Sequence, residues 1–214
     1  MHWSRRLFII CFILLVEGAA YFAVQHVTAH EYDFSISIDH IIPMVPEFVW
    51  FYHTLVPGIL LAHVFFIRKK DIFYPAIISF IIAVVLLNTT FLLFPSAYPR
   101  GDLDPKSISE QVLSWTYEVD GANNTFPSTH IAFAWLAFLN IWRSEASRDR
   151  RVIVGYGIWA SMISIATLVL KQHNVLDVIS GLGVALIAVW AARKIYLRIH
   201  EKFAEQAIVL EQVI

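Results

Sequence analysis

Two short stretches hold most of the reactive side chains of this sequence: Thr125-Phe126-Pro127-Ser128-Thr129-His130 and Lys171-Gln172-His173-Asn174-Val175-Leu176-Asp177. Each lies at the end of a long apolar run. Two histidines, a serine, a lysine and a carboxylate thus collect at a membrane surface, and ionisable groups are costly in lipid unless they serve a site. His173 and Asp177 are spaced i to i+4, which puts both side chains on one helix face. A carboxylate there can hold one ring nitrogen and leave the other free to attack an electrophile. The same pair would equally cap and orient the helix that follows.

His173 is the candidate nucleophile, an imidazole able to attack phosphorus. Asp177 is its partner. His130 is the candidate general acid, since a departing alkoxide is best protonated by a group whose pKa lies near neutrality. Ser128 and His130 open a helix, where free backbone N–H groups and the positive dipole end attract phosphate. Ser128 is therefore a candidate phosphate ligand as well as an N-cap. Arg100 and Lys171 are candidate cationic clamps on phosphoryl oxygens. Arg100 follows the stiff segment Pro95-Ser96-Ala97-Tyr98-Pro99. For Lys171 the competing role is snorkelling from a helix end.

These residues need a scaffold, and composition says which. The 214 residues are 58% hydrophobic and 15% charged, with a mean hydropathy of +0.63. A soluble core has no room to hide several runs of about 20 apolar residues. The net charge of -1 gives no field for nucleic acid. The single cysteine, Cys11, precludes a disulfide within the chain. The expectation is all-α: one polytopic membrane domain over residues 1–214, built as a bundle of six transmembrane helices. The spans are Leu7–Val27, Phe48–Ile67, Ile72–Phe94, Ile131–Trp142 extended upstream from Pro127, Val152–Leu170 and Val175–Leu197. The first reads as a retained anchor, because its apolar stretch is long for a secretory signal. The tail beyond Arg193 reads as a surface-lying amphipathic segment or a plain helix extension.

Alternating the loops of six spans puts thirteen of the sixteen Lys and Arg on one side. By the positive-inside rule both termini are cytoplasmic. The exceptions, Arg100, Lys106 and Lys171, fall on the opposite side with both histidine motifs, so the expected site faces away from the cytoplasm. Glu17 lies within the first span and must face protein or water, with His53 and His63 as available partners. Asn88, Thr89 and Thr90 suit bonds between helices. Trp50, Tyr52, Tyr98, Trp115 and Tyr117 suit an interfacial belt. Asp33, Asp39, Asp102 and Asp104 lack metal-ligand spacing and read as solvated loop charges.

Together the motifs resemble those of the type 2 phosphatidic acid phosphatase superfamily. Its Pro-Ser-x-His motif matches Pro127-Ser128-Thr129-His130, and its His-x3-Asp matches His173 and Asp177. The resemblance implies a six-helix bundle acting through a phosphohistidine without metal or cofactor. It makes His173 the nucleophile, Asp177 its partner, His130 the acid and Ser128 a phosphate ligand. The family's first motif places a lysine seven residues before its arginine, where this chain has Leu93 before Arg100. The third motif carries an arginine six residues before the nucleophile, where this chain has Thr167. The altered first motif resembles the branch containing inositol phosphorylceramide and sphingomyelin synthases, which pass a head group to an alcohol. The implied activity is a metal-independent lipid phosphatase or phosphotransferase, with a membrane lipid as substrate and water or an alcohol as acceptor. The alternative from another class is a transporter or scaffold that keeps the bundle without chemistry.

Overall fold

The apolar runs fold as helices, as full backbone hydrogen bonding in lipid requires. The computed structural model describes residues 3–27, 32–67, 70–101, 103–144 and 149–213. Among these the elements are α1 (Trp3–Val27), α2 (Val49–Tyr52), α3 (Leu55–Ile67), α4 (Lys70–Leu93), α5 (Ile108–Val119), α6 (Thr129–Trp142), α7 (Arg150–Val169) and α8 (Val175–Val213). Two 3-10 turns, Ser37–His40 and Pro46–Phe48, precede α2. The described residues contain two isolated β-bridges, Tyr32 with Ser96 and Ala97 with Asn123. Thr28, Arg68, Lys69, Asp102 and Arg148, which entered the loop and charge assignments, lie outside the described residues.

Four helices among the described residues are long and apolar enough to cross a membrane: Ser4–Gln25, Ile72–Leu93, Arg150–Val169 and Val175–Lys202. Their outward faces carry large apolar side chains, among them Phe8, Phe12, Val85, Leu93, Ile158, Leu186 and Trp190. The expected second span is not one helix. A turn at His53–Thr54 separates α2 from α3, with the Thr54 hydroxyl donating to Phe51 O at 2.6 Å.

The expected fourth span, α6, has only 14 residues and is the hub of the bundle. Helix α6 is buried on nearly every side, through Ile131, Ala132, Phe133, Ala134, Leu136, Ala137, Leu139 and Ile141. It packs against α3, α4, α7 and α8. Its alanines let neighbouring backbones come close, the main route to helix association where lipid is as apolar as the interface. The closest approach is at Gly181 of α8, where a Cβ would sit 2.6 Å from Ser128 O.

One departure from expectation bears on the site. The stretch between Phe94 and Phe126 is not an open loop but contains α5. Ser107 caps α5 by accepting from Glu110 N at 3.2 Å, and Glu110 Oε2 accepts from Ser107 N at 2.7 Å, a complete capping box. The chain beyond Arg193 takes the second of its two expected forms. It continues α8 as one helix of 39 residues.

Candidate active site

The two histidine motifs meet at the starts of α6 and α8. The Ser128 amide donates to Asp177 O at 3.1 Å, so the first turns of both helices are tied backbone to backbone. Ser128 is 0% exposed and caps α6, its Oγ accepting from Ile131 N at 3.3 Å. The Phe126–Pro127 peptide bond is cis. Ser96 Oγ holds the preceding segment by accepting from Phe126 N at 2.7 Å and from the Thr125 hydroxyl at 3.2 Å.

His173 enters the site from the end of α7. There Lys171 N donates to Leu168 O and Gln172 N to Thr167 O, the two bonds of a Schellman cap. Lys171 takes the left-handed position with φ 52°, a conformation that costs a side chain on the order of 1 kcal/mol. The His173 ring is 7% exposed. Its Nδ1 lies 3.0 Å from Thr125 O and 3.3 Å from Asp177 Oδ2. Both partners only accept, so Nδ1 carries a proton and Nε2 presents its lone pair. Asp177, 0% exposed, also caps α8: its Oδ2 accepts from Asn174 N at 3.0 Å, and its amide donates to Asn174 Oδ1 at 2.9 Å. Capping and ring orientation are thus performed by one carboxylate.

His130 lies beside His173, with ring centroids 5.8 Å apart and planes tilted by 56°. Its other face stacks on Tyr52, centroids 4.3 Å apart. Tyr52 donates its hydroxyl to Asp120 Oδ2 at 2.7 Å, and Tyr21 donates to Asp120 Oδ1 at 2.8 Å. Burial pushes the Asp120 carboxyl up, but His130, the two phenols and Arg100 outweigh it and hold it below the usual carboxylate value. Asp120 and Tyr52 were not expected as site residues. Neither sits in a motif, and Tyr52 reads as a membrane-interface tyrosine until the fold turns it inward.

The two expected clamps are already occupied. Arg100 donates from Nη1 to Asp120 O at 2.5 Å and to Tyr117 O at 3.4 Å, and from Nη2 to Gly121 O at 3.1 Å. Nη2 also donates to Gln172 Oε1, the neighbour of the nucleophile candidate. The guanidinium stacks over Tyr117 at 4.6 Å. Burial pushes the Tyr117 phenol up to about 12, partly offset by Arg100, so it stays neutral and donates to Leu170 O at 2.6 Å. Arg100 therefore pins the 117–121 turn against the His173 segment. Lys171 donates to Asp39 O at 2.8 Å and Ile42 O at 2.6 Å rather than to any member of the histidine cluster.

Other expectations resolve as follows. Asp39 is not a solvated charge: it is 2% exposed, and its carboxylate accepts from Ile36 N at 2.7 Å and Val175 N at 2.8 Å, capping α8 from outside. Asp33 and Asp104 do sit at the surface, accepting from Ser35 N and pairing with Lys106. Glu17 pairs with neither histidine; its Oε2 accepts from Asn88 Nδ2 at 3.1 Å, joining α1 to α4. Thr90 bonds within its own helix. Trp50 and Trp115 face outward, whereas Tyr52 and Tyr98 are buried. Burial and the carboxylates of Asp39, Asp33 and Asp177 push the Tyr98 phenol up.

A cavity of about 460 Å³ leads away from His130. Its walls are mostly apolar, with Leu14, Gly18 and Phe22 from α1, Leu55 and Ile59 from α3, and Trp115 and Val119 from α5. His130, Thr129, Asp120 and His53 form its polar part. Thr129 Oγ1 is buried without a hydrogen-bond partner among the described residues. Three donors near the site are in the same condition: Arg100 Nε, Gln172 Nε2 and Asn174 Nδ2. The acceptors Asp177 Oδ1, Asn124 Oδ1 and Glu17 Oε1 are also without a partner among the described residues, so the region offers unmet polar groups of both kinds.

Comparison with known proteins gives a family and a fold. A family model described as PAP2 superfamily matches residues 12–191. No curated protein matches. Among solved structures, the chain is similar to the crystal structure of Aquifex aeolicus LpxE, with a TM-score of 0.57 and 18% sequence identity, covering 78% of this chain and 99% of that one. At that identity the likeness is one of fold.

Proposed function

The chain belongs to the PAP2 superfamily, and from that premise we propose that it is an integral-membrane lipid phosphatase acting through His173 and His130. One observation carries the reading: two imidazoles 43 positions apart in the sequence lie 5.8 Å apart, one fixed through Nδ1 and the other facing a lipid-sized cavity. In the proposed first step His173 Nε2 attacks phosphorus, and the bond from phosphorus to the leaving oxygen breaks. His130 gives that oxygen its proton. Asp177 and Thr125 O stabilise the positive charge that develops on the His173 ring. In the second step His130 takes a proton from water as the water attacks the phosphohistidine. Inorganic phosphate leaves and both rings return to their starting state.

Ser128, Thr129 and the amides of the first α6 turn receive the phosphoryl oxygens in this proposal. A helix start is suited to that task, since its first N–H groups have no acceptor within the helix. The hydrocarbon part of the substrate lies in the apolar cavity between α1 and α3. In this proposal α2–α3 and α6 complete six crossings, and the bias of Lys and Arg supports a non-cytoplasmic site with both termini in the cytoplasm. This proposal routes no step through a metal or cofactor.

A second reading, transfer of a head group to an alcohol, is favoured by the engagement of Arg100 and Lys171 with backbone carbonyls. Their charges serve the fold first, which weakens the grip on a doubly charged terminal phosphate more than on a singly charged diester. Purified protein offered phosphatidic acid, isoprenyl diphosphate, phosphatidylglycerophosphate and phosphatidylinositol, with and without ceramide or inositol, separates the readings on a thin-layer plate. Phosphate release without an alcohol supports the phosphatase. A new lipid spot that needs the alcohol supports the transferase. No turnover of any of them, with His173→Ala indistinguishable from wild type, rejects both.

A further inference from the structure

The end of the bundle remote from the histidines holds a second cavity, of about 430 Å³, between α4, α6 and α8. Arg143 and Arg193 line it together with Tyr196 and Asn140, against apolar walls that include Ile72 and Val189. Arg143 lies at the C-cap of α6, 13 residues after His130, so this cavity is about 20 Å along the bundle from the imidazoles. We propose that it binds one anionic phospholipid, the two guanidiniums holding the phosphate and the apolar walls holding the first part of the acyl chains.

Three observations support that occupant. First, neither guanidinium forms a hydrogen bond or ion pair with a described residue, although both border a concave space. The neighbouring Lys194 is engaged elsewhere, stacked over Trp190 at 5.7 Å. Second, positive-inside topology alone needs basic residues at this end, not basic residues converging from two helices on one cavity. Arg150, at the start of α7, meets the topological need without lining this cavity. Third, the lining combines cationic and apolar groups where the α4 span begins at Ile72, beside the second half of the α8 span, which runs on to Lys202. A phospholipid offers the matching sequence of charge and hydrocarbon. Basic pockets between membrane helices are a recurrent means of holding such head groups. A free phosphate would leave the apolar walls without a partner.

The test uses full-length protein carrying His173→Ala, which separates binding here from turnover at the other end. Native mass spectrometry in neutral detergent compares phosphatidylglycerol, phosphatidylcholine and inorganic phosphate. One phosphatidylglycerol should be retained in preference to phosphatidylcholine. The double variant Arg143→Gln/Arg193→Gln should weaken that retention about thirtyfold, the factor expected of two interfacial charges. The control Arg150→Gln/Arg198→Gln should change it less than about threefold. Equal retention of both phospholipids, or equal loss in the two double variants, overturns the proposal. So does displacement by inorganic phosphate at the concentration at which phosphatidylglycerol binds, which would assign a soluble anion. Because the lipid preference is measured without substitution at the arginines, misfolding of the double variant does not protect the proposal.

Discussion

The carbonyl of Asp177 accepts the amide of Ser128 at 3.1 Å. The residue whose carboxylate orients one imidazole thereby fixes the helix that carries the other. The two imidazoles are held in register by a backbone bond, which no side-chain substitution can remove directly.

That division of labour sets the first expectation. Replacing His173 with Ala should lower turnover by at least about 10³-fold, as loss of a nucleophile does in other covalent mechanisms. Asp177→Asn should cost less, because Thr125 O still accepts the Nδ1 proton and an amide oxygen can still cap α8. Radiolabelled phosphate trapped on the protein, stable to base and labile to acid, should vanish in His173→Ala and persist in Asp177→Asn. Label retained by His173→Ala would remove His173 from the nucleophile role.

Gly181 supplies a paired test of the helix contact. A methyl group at this position would sit 2.6 Å from Ser128 O, whereas one at Gly183 meets nothing within 4 Å. Gly181→Ala should lower thermal stability by about 1–3 kcal/mol through overpacking and lower turnover with it. Gly183→Ala should match or slightly exceed wild-type stability, since alanine is the better helix former. Melting curves in one detergent decide between these outcomes.

Lys171 separates a strut from a clamp. Lys171→Ala removes two hydrogen bonds to the 39–42 segment and should lower Tm while changing KM for the lipid less than about threefold. A tenfold rise in KM at unchanged Tm (about 1.4 kcal/mol of binding) would return Lys171 to the phosphate.

Asp120 predicts an acid-side effect. Its carboxyl is held below the usual value in the fold, so it contributes stability that is fully present above the unfolded carboxylate pKa of about 3.9. That contribution is lost as pH falls through the lower folded value. Asp120→Asn should therefore flatten the fall of Tm below about pH 4. Tyr52→Phe keeps the ring on His130 but removes one bond to the carboxylate, and should give a partial form of the same change. Identical acid profiles for wild type and Asp120→Asn would contradict this account.

Metal dependence is the simplest check. A mechanism built on two imidazoles should retain full turnover in EDTA. Loss of activity restored by zinc or magnesium would exclude it.

The sequence makes the reactive centre more legible than its supports. His130, Ser128, His173 and Asp177 sit next to helix starts, so local spacing alone shows their relation. Bilayer length and the placement of Lys and Arg show the bundle. Tyr52 and Asp120 could not be read in this way, because their relation to His130 spans three separate segments and exists only once α1, α2 and α5 are packed. Asp39 was misread for a similar reason: its partner amide belongs to Val175, 136 positions away. Helix α5 was legible in principle, since Ser107-x-x-Glu110 ahead of an apolar pattern is a start signal. The division of Phe48–Ile67 was legible in the same way, since Thr54 directly precedes α3 and Pro57 lies in its first turn.

Arg100 joins Asp120 to Gln172, Asp120 holds Tyr52, Tyr52 backs His130, and Gln172 precedes His173. The chain of contacts thus closes on itself like a hoop around the two rings. Displacing either imidazole therefore disturbs contacts drawn from α2, the end of α5 and the turn between α7 and α8, not from its own helix alone.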